Sequence, residues 1–305
     1  VQRYVIRRLL QSVVVLVVLT LVVFSLARVT GNPADLLLPE DATAEDRAHL
    51  LHALGLDQPV HVQLGVFLAG AVRGDLGTSI RYRQPAVAIF FERLPNTLTL
   101  VPLALAASVI IAIPLGLLAA VYRGTIVDRI TGTLAVLGIA TPSFWLGVVL
   151  IYVFSVKLGW LPSARMGGPA HFVLPIITLS GFLVAGMTRL VRSSVLEVLD
   201  TEFVKLARIK GLSGFVVIWK HCLRNALIPV VTLFGVFFAL MVTGAIVTET
   251  VFAWPGVGRL TYEAVIFRDY PLLQAVILLQ ATIVLGVNLA VDILYAYLDP
   301  RVRYA

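Results

Sequence analysis

Charge is scarce in this chain. Only 13% of its 305 residues are Asp, Glu, Lys or Arg, while 59% are hydrophobic. A soluble globular domain does not need that much apolar surface, so the solvent of most of this chain is lipid. Cysteine is nearly absent. Cys222 is the single one, which excludes an intrachain disulfide and a thiolate metal cage and leaves it as a small apolar residue. No G-x-x-x-x-G-K-[ST] stretch occurs, so there is no phosphate cradle for ATP, and no H-E-x-x-H or G-x-S-x-G occurs either. His49 and His52 lie three apart, with His61 beyond. A metal site needs more ligands in reach, and these read as a solvated helix face. No catalytic residue and no metal site is expected.

What fills the chain instead is a set of charge-free runs. Six are bounded by Arg8/Arg28, Arg93/Arg123, Arg129/Lys157, Arg165/Arg189, Arg224/Glu249 and Asp269/Asp292, and each can cross a bilayer, which takes about 20 apolar residues. The expected spans are 9–27, 97–121, 131–156, 171–190, 226–248 and 272–296. Their interiors hold no Asp, Glu, Lys or Arg, with Arg189, Glu249 and Asp292 at boundaries and His171 near one entry. Ion-driven carriers use such groups in mid-span, so the pathway draws its energy from a partner. If the N-terminus is cytoplasmic, the inner segments hold Arg3, Arg7, Arg8, Arg123, Arg129, Arg301, Arg303 and seven more in one long loop, fourteen of the 24 Lys and Arg. That bias places both termini inside. The +7 net charge then reflects basic inner loops facing anionic lipid and partners, with no nucleic acid implied. Residues 1–27 read as a retained first span, because a run of 19 is long for a signal peptide and no A-x-A-like site follows at once.

Between spans one and two, residues 29–95 form a long outer segment. It opens on a GNP turn at 31–33. Thr43 and Asp46 have the spacing of a capping box, and Gly55 would close the helix they open. A short surface helix follows Pro59, and RGDLGTSIRYRQP (73–85) is polar and turn-rich. This segment is too small and too polar for a catalytic domain and reads as a lid or docking surface. Spans two to five carry Pro102, Pro114, Pro142, Pro175 and Pro229, which suits helices that kink and shift against one another. Trp254, Tyr262 and Tyr270 stand where interfacial aromatics are expected.

The most informative stretch is 189–224, a polar loop between two apolar runs. It carries Arg189, Arg192, Lys205, Arg208, Lys210, Lys220 and Arg224 against Glu197, Asp200 and Glu202. Within it, TEFVKLARIKGLS (201–213) has a helical pattern. Asp200 or Thr201 can cap its start, and Gly211 can take positive φ and end it. Helical spacing puts Phe203, Leu206, Ala207 and Lys210 on one face, with Lys205, Arg208 and Leu212 elsewhere. Such a helix is a ball for a partner's socket or, equally well on physical grounds, a basic helix lying on anionic lipid.

LARIKGLS…HCLRNALIP (206–229) resembles the cytoplasmic coupling loop of ABC importer permeases in its peptide-transporter form. The wider pattern is Glu-Ala-Ala, then Gly four residues after the second Ala. Ala207 and Gly211 match, Lys205 stands at the Glu position, Leu206 at the first Ala, and Arg224 near the later Pro. GDLGTS (74–79), ERLPNTLTL (92–100), TPSFWLGVVLIY (141–152), GWLPS (159–163), FAWPGVGRL (252–260) and LDPRVRY (298–304) resemble signatures of the same branch. The resemblance is to the dipeptide permease protein B type and covers nearly the whole chain.

The resemblance implies an all-α multi-pass protein of the prokaryotic plasma membrane with the type I ABC importer permease fold and six transmembrane helices. It implies a second, homologous permease, two ABC ATPase subunits that bind the ATP and Mg, an extracytoplasmic substrate-binding protein, membrane lipid, and a short-peptide substrate. Phe203, Lys205, Leu206, Ala207, Arg208, Lys210, Gly211 and Leu212 are the expected ATPase-coupling residues. Ser108, Thr133, Ser180, Thr232, Thr243 and Asn288 are candidates to line the pathway, although bonding back to their own helices competes with that role. Asp75, Arg81, Trp254 and Arg259 are candidates for docking the binding protein. A nickel-chelate permease of the same family, an ion-coupled carrier working alone, and a membrane enzyme or scaffold are the competing readings.

Overall fold

The structure is a computed structural model that describes residues 2–29, 38, 42–53 and 55–298. The GNP turn and the stretch 299–304 lie outside the described residues. No β-strand occurs among the described residues; Thr78 and Pro85 form one isolated antiparallel bridge. In chain order the helices are α1 Gln2–Val29, α2 Ala44–Ala53, α3 Val60–Val72, α4 Ala86–Val121, α5 Ile126–Ala140 and α6 Ser143–Leu150, which runs on as π-helical Ile151–Lys157. Then come α7 Ala170–Leu199, α8 Glu202–Ile209, and α9 Gly214–Val216, continued by π-helical Val217–Cys222 and α10 Leu223–Ala226. The last are α11 Ile228–Thr232, α12 Phe234–Val251, α13 Val257–Ile266 and α14 Tyr270–Leu298.

Five helical segments are long and apolar enough to cross a membrane: Ile6–Leu26, Ala86–Val121, Ala170–Leu199, Gly214–Val231 and Tyr270–Val291. A sixth results if Ile126–Ala140 and Ser143–Lys157 are one span, but these are bent by 102°. The stretch 131–156 is therefore not one straight rod. Pro142 has no N–H to give, and it holds Thr141 in an extended conformation at φ −80°, ψ 119°, as the residue before a proline prefers. The apolar stretch around 226–248 is likewise divided, with the shorter apolar helix Gly235–Val251 following the segment that ends at Val231.

The chain forms two compact units. One contains Thr97–Trp254 and the stretch from Val287. Here α7 is the central element and touches α5, α6, α10, α11 and α12. Small residues allow close approach: a Cβ on Gly138 would stand 2.9 Å from the Ala185 Cβ. A Cβ on Gly116 would meet the Thr188 carbonyl and the Val191 side chain at 2.7 Å, so helices here pack nearly backbone to backbone. Glu249, at the expected end of a span, is fully buried in the last turn of α12 and accepts the Thr97 hydroxyl at 2.6 Å.

The other unit contains Gln2–Asn96 and Pro255–Gly286. Its core joins Leu76, Ile89 and Phe90 to Val257, Leu260, Leu272 and Val276. Asp269 is buried and gathers four donors: the Ser79 hydroxyl and the backbone N–H groups of Ile80, Arg81 and Leu272. The Tyr82 hydroxyl donates to Glu263 at 2.7 Å. Burial, then that hydrogen bond, raises the pKa of Tyr82. At α2 the capping box is present: Asp46 accepts the Thr43 hydroxyl and N–H, and the Thr43 hydroxyl accepts the Asp46 N–H. Gly55, at φ +64°, closes that helix through the Leu56 N–H bond to the Leu51 carbonyl.

Candidate functional site

The segment from Thr201 to Ala226 is helical for most of its length. Thr201 occupies the cap position with extended backbone, and its carbonyl accepts the Lys205 N–H. Its hydroxyl does not cap the helix as expected; it donates backward to the Val198 carbonyl at 2.6 Å. Asp200 ends α7 instead. Gly211 has φ +77°, and the Leu212 N–H reaches back to the Ala207 carbonyl at 3.3 Å, the six-to-one closure that positive φ permits. A Cβ there would meet nothing within 4 Å, so glycine is needed for its backbone alone.

Which face turns inward differs from the pattern expected. Val204 is fully buried and Ala207 nearly so, packed with Val217 and Cys222 against Val198 and Leu199. Ala207 thus anchors the helix and does not belong to its outer face. Phe203, Leu206 and Leu212 are exposed, and so is Ile209, at 81% the most open large apolar residue of the segment. Phe215, at 70%, and Trp219 are exposed too, their rings tilted together at 5.9 Å, but they belong to the Gly214–Val231 segment that is apolar enough to cross a membrane. Lys205 pairs with Glu202 at 2.8 Å, both solvated, a contact worth little. Arg208 and Lys210 are exposed.

Spacing did not single out Ile209, Phe215 or Trp219. The signal was composition: an eight-residue helix with five apolar residues has more than one small core face can absorb. A second contact was invisible to any local pattern. Arg192 of α7 grips Asp128 of α5 with two bonds at 2.6 and 2.9 Å, and Asp128 also accepts the Gly124 N–H. This bidentate pair ties the 122–129 turn to the helix that leads into the Thr201–Ala226 segment.

The other candidates scatter. Ser108, Ser180 and Thr243 donate to carbonyls of their own helices, at Ala104, Ile177 and Ala239. Thr133 is exposed, and the Thr232 side chain lies outside the described residues. Asn288 presses against Gly235 so closely that a Cβ there would collide with its amide. Asp75 is exposed and accepts the Gly77 N–H. The Arg81 guanidinium lies 3.3 Å from the centre of the Phe267 ring, and Arg259 binds Glu263 at 2.9 Å. Trp254 is fully buried, edge-on to Phe172 at 4.7 Å; it offers no surface to a docking partner. Tyr270 is also buried, and of the three expected interfacial aromatics only Tyr262 is exposed. His52 is engaged by Asp57 at 2.7 Å.

Two family models match. Residues 112–304 match the binding-protein-dependent transport system inner membrane component, and residues 1–101 match the N-terminal part of such membrane components. The chain is 42% identical over 302 residues to the glutathione transport system permease protein GsiC of Escherichia coli O6:H1, covering 99% of both chains. It is 41% identical, with the same coverage, to the protein of that name from Salmonella choleraesuis. A solved inward-facing structure of the MetNI methionine ABC transporter aligns with TM-score 0.60 at 20% identity, over 69% of this chain and 96% of the other, a likeness of fold.

Proposed function

The chain belongs to the inner membrane components of binding-protein-dependent transport systems, as a multi-pass permease of the peptide and glutathione ABC importer type, and from that premise we propose that it imports short peptides, driven by separate ATPase subunits. The tripeptide glutathione, named in its relatives, falls within that class. In this reading the chain itself carries no catalytic site, both termini and the 189–224 segment face the cytoplasm, and residues 29–95 lie outside. It pairs with a second permease above two ATPases, which bind the ATP and Mg, and receives substrate from an extracytoplasmic binding protein.

One observation carries the proposal: the open apolar side chains of Phe203, Leu206 and Ile209 on the short helix α8 of a basic segment. Large apolar side chains clustered in the open mark an interaction site. Helix α8 is short, closed by Gly211 and anchored by Val204 and Ala207, so a push on its outer face is passed to α7 and to the π-helical Val217–Cys222 stretch. ATP binding and release by the partner would bias a helix bundle with two arrangements close in energy.

The test is reconstitution of the chain with its partner permease, ATPases and binding protein in liposomes. ATP-dependent uptake of labelled glutathione or another short peptide supports the reading. Sustained uptake by the chain alone on an ion gradient, or ATP turnover with no peptide uptake, contradicts it.

A further inference from the structure

Arg192 and Asp128 meet where water is partly excluded. The Asp128 side chain is 13% exposed and that of Arg192 33%. The Lys205–Glu202 pair, at 56% and 83%, is solvated. Charges that are partly desolvated attract more strongly than charges in open water. The geometry is also fixed twice over. The guanidinium donates to both carboxylate oxygens, at 2.6 and 2.9 Å, and the Gly124 N–H donates to the same carboxylate at 2.9 Å. Gly124 stands at φ +78° in the turn between α4 and α5. One carboxylate therefore holds that turn, the start of α5 and α7 together.

Beside the pair, α4 and α7 nearly touch backbone to backbone. Gly116 faces Thr188 and Val191 with no room for a Cβ, and Val191 and Val195 are fully buried. From Arg192, α7 runs unbroken for about two turns to Leu199. Val198 and Leu199 are the residues on which Val204 and Ala207 of α8 pack. A continuous path thus joins α8 to the end of α7, and through Arg192 to Asp128, α5 and the α4–α5 turn, all within one compact unit. Small apolar contacts let a helix shift or rotate. A forked ion pair does not, because either movement breaks both of its bonds.

From this path we infer that Arg192 and Asp128 are a positioning pair for transport: they make α5 and the α4–α5 turn follow the movement of α8, so that one displacement rearranges three helices. The inference rests on the proposed reading that an ATPase partner moves α8. It adds the route by which that movement leaves α7.

The experiment uses the chain assembled with its partner permease, ATPases and binding protein in liposomes. It reads uptake of labelled glutathione, ATP hydrolysis and the ratio of the two. Arg192→Met and Asp128→Asn are each expected to lower uptake per ATP about fivefold. Arg192→Lys keeps the charge without the fork, and its ratio is expected to fall between those of Arg192→Met and the unsubstituted chain. A pair that only stabilised the fold would reduce the amount of assembled complex and lower both rates together, with their ratio unchanged. Asp128→Asn still accepts the Gly124 N–H and decides the matter alone if Arg192→Met fails to assemble. A ratio unchanged within about twofold in the variants that assemble overturns the inference. ATP turnover without uptake in the unsubstituted complex overturns the proposed function and this inference with it. Failure of the inference alone shows only in the variants, so the two failures are distinguishable.

Discussion

The Ser79–Asp269 region and the Thr201–Ala226 segment are held by opposite means. The first is clamped by directional polar bonds: one buried carboxylate takes a hydroxyl and three backbone N–H groups from two distant stretches. The second rests on a core of four small residues, Val204, Ala207, Val217 and Cys222, and leaves its larger apolar residues open. A carboxylate clamp fixes one geometry, because moving it breaks several charge-assisted bonds together. A small apolar anchor keeps a helix attached while permitting it to shift. The clamped region is complete within its own unit, and in the proposed reading the open segment is completed by a partner.

Substitutions can break this contrast. The largest effect is expected at the clamp. Asp269→Ala strands four donors and should cost roughly 3 kcal/mol, read as a lower thermal midpoint and early proteolysis around 75–85; a midpoint unchanged within error would mean the clamp is not structural. Val204→Ala should come next. It enlarges a cavity in a small core at a cost of about 2 kcal/mol, measured by the same melting experiment together with ATPase copurification.

Gly211→Val forces a β-branched residue to φ +77° at a cost of about 1–3 kcal/mol. Insertion should survive while coupled uptake and ATPase stimulation fall. Gly211→Asn, which tolerates that φ, should restore most of both, and normal coupling in the valine variant would contradict this account of the turn. Ile209→Ser sharpens the contrast from the other side. The residue is open, so stability should move by less than about 0.5 kcal/mol while ATPase retention drops.

The smallest effect is expected at one aspartate. Asp46, exposed in its capping box, has its pKa lowered chiefly by the Thr43 hydroxyl. A depressed carboxylate contributes stability above its unfolded pKa and loses it as pH falls through the folded value. An NMR titration should place the Asp46 midpoint below the ordinary value of about 3.9. Its protonation should fray only the start of α2.

What the sequence made legible was local. The Thr43–Asp46 box, Gly55 and Gly211 act over a few residues through spacing and φ, and each stands where its pattern puts it. Pro142 allowed a kink within one expected span, 131–156, but not the 102° bend that divides it, which depends on how the flanking helices pack. Asp269 and Ser79 are 190 positions apart and Asp128 and Arg192 are 64 apart, and no periodicity connects such pairs. Ala207 misled for a third reason. In a helix apolar on several sides, the inner face is chosen by what lies behind it, here Val217 and Cys222.

The most direct test is a photo-crosslinking residue at position 209 in the assembled transporter in native membrane. The expected result is a covalent adduct with the ATP-hydrolysing subunit, changing in yield when nucleotide binds. Adducts with lipid alone, at every nucleotide state, would contradict the claim that this helix receives force from a motor outside the chain.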